Sequence, residues 1–296
     1  MLNKILVVAT KPSSGKELVS KANELAAQTV LVTCVEGLTG TDVVYTFSDK
    51  ESVVTKLKAI ADLAAELQPE LVLCEANRGG RLVAGYVAAV LKTCPLPESL
   101  SIEVGDGKVT ATRMVHGGGA IMTETVPFPV VAAVGEGLFE VVENGKAGEV
   151  KELGGAVEGV ELLDVKIADV VAKNLPGAKK VVGVGRGLGS ADNLPMVDKF
   201  AALIGAEVGC TRPAAEEENW FPRSDYIGVS GLMLKPPFYF AMGISGAVQH
   251  MVGVDASGVI FALDKNENAP IFDQSDYCLV GRIETALPKI IEALEG

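Results

Sequence analysis

The sequence predicts an α/β protein of two domains, and three observations carry that expectation. Short β-branched apolar runs alternate with stretches of helical apolar spacing, the pattern of βαβ units built around a parallel sheet. Hydrophobic residues make up 48% of the chain and aromatic residues only 5%, a profile of packed sheets and helices with abundant Ala, Val, Leu and Gly. The 296 residues are enough for two cores of ordinary size. The expected arrangement is a Rossmann-like parallel sheet with an antiparallel excursion over residues 1–176, followed by a doubly wound α/β domain over residues 177–296.

In the first half, Ile5–Ala9, Gly15–Ala27 and Val30–Cys34 read as strand, helix and strand. Val43–Phe47 reads as a further strand, Ser52–Leu67 as an amphipathic helix, and Glu70–Cys74 as a buried strand introduced by Pro69. Arg78-Gly79-Gly80-Arg81 opens a helix to about Leu91. Its paired glycines can cradle a phosphate or let helix and strand cross closely; the second reading is favoured because no further spaced glycines follow. From Ser101 the period changes to alternation, with Gly105-Asp106-Gly107 as a hairpin turn between Ser101–Val104 and Lys108–Ala111. His116 before Gly117-Gly118-Gly119 fits a functional loop and a turn between strands about equally. Val126–Val134 is the last strongly apolar run. Residues 135–160 are rich in Gly and Glu, Val160–Val171 alternates, and Asn174-Leu175-Pro176-Gly177 marks the domain boundary.

The second half opens with the strand Val181–Val184 and the glycine turn G-V-G-R-G-L-G-S of residues 183–190, after which Asp192 can cap a helix to about Ile204. Arg186 inside that turn suits a diphosphate, because a guanidinium makes fork-like charge-assisted hydrogen bonds; a plain surface arginine is the competing reading. Glu207–Cys210 leads into Thr211-Arg212-Pro213, and Glu216-Glu217-Glu218 reads as a solvated acidic face. The stretch around which the domain is arranged is Tyr239–Met251, Y-F-A-M-G-I-S-G-A-V-Q-H-M, read as strand, tight turn and helix N-terminus. Such a turn can hold an anion on free helix amides or serve as a structural corner. Gln249 and His250 then fall in the first turn of that helix. Gly258–Leu263 is a strand with Asp264-Lys265 at its C-terminal end, where a carboxylate commonly holds a ribose hydroxyl. Asp276–Val280 and Arg282–Leu294 complete the domain as strand and amphipathic helix.

Composition excludes several classes. A net charge of −12 with no basic stripe argues against nucleic acid as a partner. The five cysteines stand singly, as buried hydrophobes in a reducing compartment, and two histidines give a metal cluster or a catalytic triad little material, so no metal ligand and no catalytic residue is assigned. Mean hydropathy is +0.32, yet no apolar run reaches the roughly 20 residues that a bilayer requires. Met1–Thr10 reads as a first strand and not as a signal peptide, so a cytoplasmic location without membrane insertion is expected.

G-R-G-L-G-S with Arg186, T-R-P at Thr211-Arg212, G-V-S-G at Gly228–Gly231, G-I-S-G-A-V-Q-H at Gly243–His250, and D-K-N-E-N-A-P-I-F with Asp276-Tyr277 follow one another in the order seen in electron transfer flavoprotein alpha subunits. The resemblance is strong over about residues 180–296 and lies more in layout than in signature before that. It implies an FAD bound mainly by the C-terminal domain, and a heterodimer with an electron transfer flavoprotein beta subunit contacted by the N-terminal domain. It further implies electron transfer between acyl-CoA or other flavin dehydrogenases and a downstream acceptor, as a simple carrier or within an electron-bifurcating complex. Carried over by position, Arg186 meets the FAD diphosphate, and Thr211 and Arg212 lie beside the isoalloxazine. Ser230, where the family often has Thr, bonds the flavin N5 edge, and Ile227, Gly228 and Val229 belong to the same cofactor-binding set. Ser245, Gly246, Ala247 and Val248 wrap the diphosphate, and Gln249 and His250 face the flavin. Asp264 stands where many relatives have Asn and Arg282 where many have Asp; both are assigned to the cofactor. Arg212 or a protonated His250 would stabilise negative charge on the reduced ring. The competing readings are a flavin- or nicotinamide-dependent oxidoreductase acting directly on a small substrate, and a scaffold whose nucleotide is structural.

Overall fold

The computed structural model describes residues 1–48, 51–155, 157, 160, 162–164 and 173–296. The chain divides into two compact units, Met1–Val115 with Ala120–Asp169, and His116–Gly119 with Val170–Gly296.

In the first unit, β1 (Leu2–Ala9), α1 (Pro12–Leu25) and β2 (Ala26–Thr33) form the opening βαβ, with β3 (Val43–Thr46) next. A 3-10 turn over Val53–Lys56, capped by the Ser52 hydroxyl, runs into α2 (Leu57–Leu67), then β4 (Leu71–Glu75) and α3 (Arg78–Val90). The remaining strands are β5 (Pro95–Gly105), β6 (Lys108–Val115), β7 (Ala120–Pro127), β8 (Val130–Val134) and β9 (Glu149–Glu152). They pair in the order β7-β6-β5-β8-β4-β1-β2-β3-β9. From β5 to β9 every neighbouring pair is parallel. β6 and β7 form the antiparallel excursion, turning at Asp106-Gly107 with φ of 50° and 73°. The central strands are buried on both faces: Ile5 and Val7 enter one core, Leu6 and Val8 the other, as the unbroken apolar runs require.

Four sequence readings resolve or change here. Gly80 is a close crossing and not a phosphate cradle, since a Cβ there would lie 2.0 Å from the Glu75 carbonyl oxygen. His116–Gly118 is a short turn between β6 and β7. The run Val126–Val134 is two strands, because Pro127 and Pro129 withdraw ladder donors between them. Within the Gly- and Glu-rich stretch β9 pairs with β3; all four of its residues are exposed, so no apolar period announces it. The alternating stretch Val160–Val171 falls mostly outside the described residues.

The second unit contains β10 (Lys180–Val184), α4 (Leu194–Ile204), β11 (Glu207–Cys210), α5 (Arg212–Glu216), β12 (Phe238–Met242), α6 (Val248–Met251), β13 (Val259–Asp264), β14 (Tyr277–Val280) and α7 (Ile283–Glu295). Its sheet is parallel throughout, in the order β11-β10-β12-β13-β14. Val182, Val184 and Met242 pack under α4 and α7 on one face, while Val181, Tyr239 and Ala241 pack with Ile227, Met251 and Ile271 on the other. The helix before β11 is started by Ser190, whose hydroxyl accepts from the Asp192 NH, rather than by Asp192 itself. It stops at Gly205, which takes the left-handed conformation at φ 65°. No helix of the described residues is long and apolar enough to cross a membrane. Cys74 and Cys210 are buried as expected, whereas Cys94 and Cys278 are exposed.

Both sheets reverse strand order once, the first between β1 and β4, the second between β10 and β12. At such a switch point the loops leaving neighbouring strands diverge and open a crevice. In the first unit a carboxylate fills it. Glu75, 3% exposed, accepts from the Thr10 NH (3.0 Å), the Thr10 hydroxyl (2.7 Å), the Lys11 NH (2.9 Å), the Ser14 hydroxyl (2.6 Å) and the Asn77 amide (2.8 Å). Glu75→Gln keeps the size but turns an amide NH2 towards these donors, so we expect a loss of roughly 2–3 kcal/mol, read as a lower urea midpoint for the N-terminal unit.

Candidate functional site

The switch-point crevice of the second unit is open, a cavity of about 490 Å³. Its walls are the segments that follow β10, β11 and β12 together with the end of β13. What brings them together is a main-chain contact between two glycine turns. The Gly185 NH donates to the Met242 carbonyl and the Gly187 NH to the Gly243 carbonyl, both at 2.9 Å. A Cβ on Gly243, at φ 66°, would meet the Gly187 carbonyl carbon at 2.5 Å and the Leu188 nitrogen at 2.6 Å. Beyond that contact the chain turns through Ser245, Gly246 and Ala247. Among the described residues, no hydrogen bond is donated by the main-chain NH groups of these three. The helix that follows them is a single turn, α6, so the donors belong to the turn more than to a long helix dipole.

Two guanidinium groups flank the cavity. Arg186 pairs with Glu217 (2.9 Å), and Arg212 with Glu216 (2.6 Å), which also faces Arg223 at 3.6 Å. The Arg212 bond holds the Glu216 carboxyl below the usual carboxylate range and raises Arg212 further. The acidic loop is solvated at Glu217 and Glu218 as expected, and Glu216 and Glu217 are also the counter-ions of the two site arginines. α5 begins at Arg212 because Thr211 is extended and Pro213 pre-sets the helical φ.

His250 is buried and both ring nitrogens are taken. Nδ1 lies 3.1 Å from the Ile227 carbonyl oxygen, which can only accept, so Nδ1 carries the proton. Nε2 then accepts from the Tyr239 hydroxyl at 2.8 Å. Burial pushes the imidazole down to about 4, against a smaller opposing effect of the bond to Ile227. The protonated His250 expected from the sequence is therefore corrected: the ring is neutral, in one tautomer, locked by Tyr239.

Of the sequence-predicted residues, Arg186, Thr211, Arg212, Ile227, Gly228 and Val229 line this cavity. So do Ser230, Ser245, Ala247, Gln249, His250 and Asp264. Three do not. Gly246 is turned against Pro270 and Ile271, Val248 is exposed at the start of α6, and Arg282 is exposed before α7. Asp264 is buried and already accepts from the Asn266 NH at 2.8 Å. The structure adds Tyr226 and Lys265, each next to a residue assigned from the sequence, and the backbone of Gly185, Gly187 and Ile244.

A parallel α/β domain whose switch-point cavity offers free main-chain NH groups, two arginines and a lysine belongs to the nucleotide-binding class. Comparison with known proteins narrows this. A family model described as Electron transfer flavoprotein domain matches residues 9–157, and one described as Electron transfer flavoprotein FAD-binding domain, of the alpha subunit, matches residues 174–255. Protein FixB of Escherichia coli O139:H28 (strain E24377A / ETEC) is 39% identical over 229 residues, covering 76% of this chain and 73% of that protein. Protein FixB of Escherichia coli (strain K12 / DH10B) is 38% identical over the same length. The chain belongs to the electron transfer flavoprotein family as an alpha subunit, with an FAD-binding C-terminal domain. The donor set fits that cofactor: the unpaired NH groups of Ser245 and Ala247, Arg186, Arg212 and Lys265 line the cavity against one carboxylate, Asp264, and the volume is in the ordinary range for a nucleotide cleft.

Because the folded pKa of His250 is depressed, the unfolded chain binds the extra proton between about pH 4 and 6.5, so stability is full above 6.5 and falls as the pH drops through that window. The loss approaches roughly 3 kcal/mol at its acid end. Urea midpoints of the C-terminal unit measured across this range should fall in the wild type and flatten in His250→Gln.

Proposed function

We propose that this chain is the FAD-bearing half of a heterodimer with an electron transfer flavoprotein beta subunit. It carries electrons from acyl-CoA or other flavin dehydrogenases to a downstream acceptor in the cytoplasm and does not itself transform a substrate. In this reading residues 1–176 carry the beta-subunit contact and residues 177–296 the cofactor. The observation that carries it is the open switch-point cavity with its unpaired turn amides between Arg186 and Arg212. Membership of the family and the FAD-binding match over residues 174–255 support it.

Bound FAD supplies reversible one- and two-electron chemistry; the protein supplies position and electrostatics. The NH groups of Ser245 and Ala247 would hold the diphosphate, joined by Arg186 on exchanging Glu217 for phosphate. Arg212 places positive charge at the ring, moderated by its bond to Glu216. The Ser230 hydroxyl reaches the ring edge from its turn, and neutral His250 shapes the pocket floor without a proton to give up. Among the described residues, the hydroxyls of Thr211, Ser230 and Ser245 have no base in hydrogen-bond contact, which favours carrier over hydrolytic or acyl-transfer chemistry.

Co-expression with the beta subunit and a count of bound flavins tests the assignment directly: a yellow complex is expected, and a complex that stays colourless after FAD is added contradicts it. Within that complex, Arg212→Ala should lower the flavin midpoint potential by an amount on the order of 1 kcal/mol per electron. An unchanged spectroelectrochemical titration would remove Arg212 from this role.

A further inference from the structure

The segment from Tyr226 to Leu232 is a closed loop with its tip in the cavity. The Leu232 NH donates to the Tyr226 carbonyl (2.9 Å), the Gly228 NH to the Leu232 carbonyl (3.0 Å), and the Gly231 NH to the Gly228 carbonyl (2.9 Å). From the other side the Val229 NH donates to the Gln249 carbonyl at 2.8 Å, so the base and one flank of the tip are held by backbone. Ser230 is different. Its carbonyl is held by a side chain, the Tyr226 hydroxyl, which donates to it at 2.5 Å. The Tyr226 ring lies against Gly231, where a Cβ would come within 2.4 Å of ring carbons, so the ring and the tip move as one piece. Both Tyr226 and Ser230 line the cavity, and among the described residues the Ser230 hydroxyl makes no hydrogen bond.

We propose that Tyr226 is a positioning residue: by holding the Ser230 carbonyl it aims the Ser230 hydroxyl at the reducible edge of the flavin. The inference rests on the reading that places the flavin ring over Ser230. A serine has a free χ1 rotor and an exposed loop tip has several backbone states, so a hydroxyl in this position has a defined direction only if the peptide unit that carries it is fixed. The tyrosine bond fixes it while leaving the hydroxyl itself unused. A donor aimed at the ring favours the state with more negative charge, so losing the aim lowers the potential for the first electron.

The test uses the FAD-loaded heterodimer and the midpoint potential as readout, measured for Tyr226→Phe, Ser230→Ala and the double variant. Tyr226→Phe keeps the ring that packs on Gly231 and removes only the hydrogen bond. The expected result is a downward shift in both single variants, with the double variant no lower than Ser230→Ala, the signature of two residues acting through one contact. If Ser230→Ala lowers the potential and Tyr226→Phe does not, the positioning role is overturned while the placement of the ring stands. Shifts that add fully overturn it as well, because Tyr226 would then act on the flavin independently of Ser230. If neither single variant moves the potential, the placement of the ring over Ser230 fails, and this inference fails with it.

Discussion

The site depends on one close approach, the main-chain contact of Gly187 with Gly243. β10 and β12 are neighbours whose connections leave in opposite directions, and their exit turns must pass each other within backbone contact. Any side chain on Gly243 would overlap the Gly187–Leu188 peptide. With the turns locked by the hydrogen bonds of Gly185 and Gly187, the chain beyond Gly243 emerges with its next amides unpaired and at the cavity. Arg186 leaves the same turn on its other side. The arrangement of donors is thus a consequence of how two strands end, and the glycines that form the structural corner also leave the donors beyond it unpaired.

The first unit shows that topology alone does not produce a nucleotide site. It too has a switch point, and the exit of β1 also leads to free amides at the start of a helix. There the amides of Thr10 and Lys11 are taken by Glu75, and those of Gly137 and Leu138 by the buried carboxylate of Glu17 at 2.9–3.0 Å. An internal anion takes the amides of one unit, whereas the turn amides of the other are left unpaired. The difference lies in a few side chains on a shared plan, as expected where function is carried by sites placed on common folds.

Much of this was legible in the sequence because buried parallel strands must be apolar on both faces and their exit turns must be glycine-rich. The strands that carry the cavity, and the turns at Gly185–Gly187 and Gly243–Ser245, could be read for that reason. The same logic fails where a strand buries no side chain, as in β9. It fails also where a charge works through a partner distant in sequence. Glu217 meets Arg186 across 31 positions, so a run of three glutamates looks like solvated surface until the chain is folded. The state of His250 was hidden similarly: its neutrality follows from burial, and its tautomer from Tyr239 and Ile227, brought to it by the sheet and the loop below it. Tyr226 was passed over because its role lies in a bond to the Ser230 carbonyl, which only the folded loop forms.

The central claim is that main-chain donors of the C-terminal switch point are reserved for the cofactor. Amide hydrogen exchange of the flavin-free heterodimer, before and after FAD is added, tests it most directly. The account predicts that the amides of Ser245 and Ala247 slow by roughly tenfold or more on binding while those of Thr10 and Lys11, already bonded to Glu75, stay unchanged. Slowing at Thr10 and Lys11, or a yellow complex in which the two turn amides exchange as before, would contradict it.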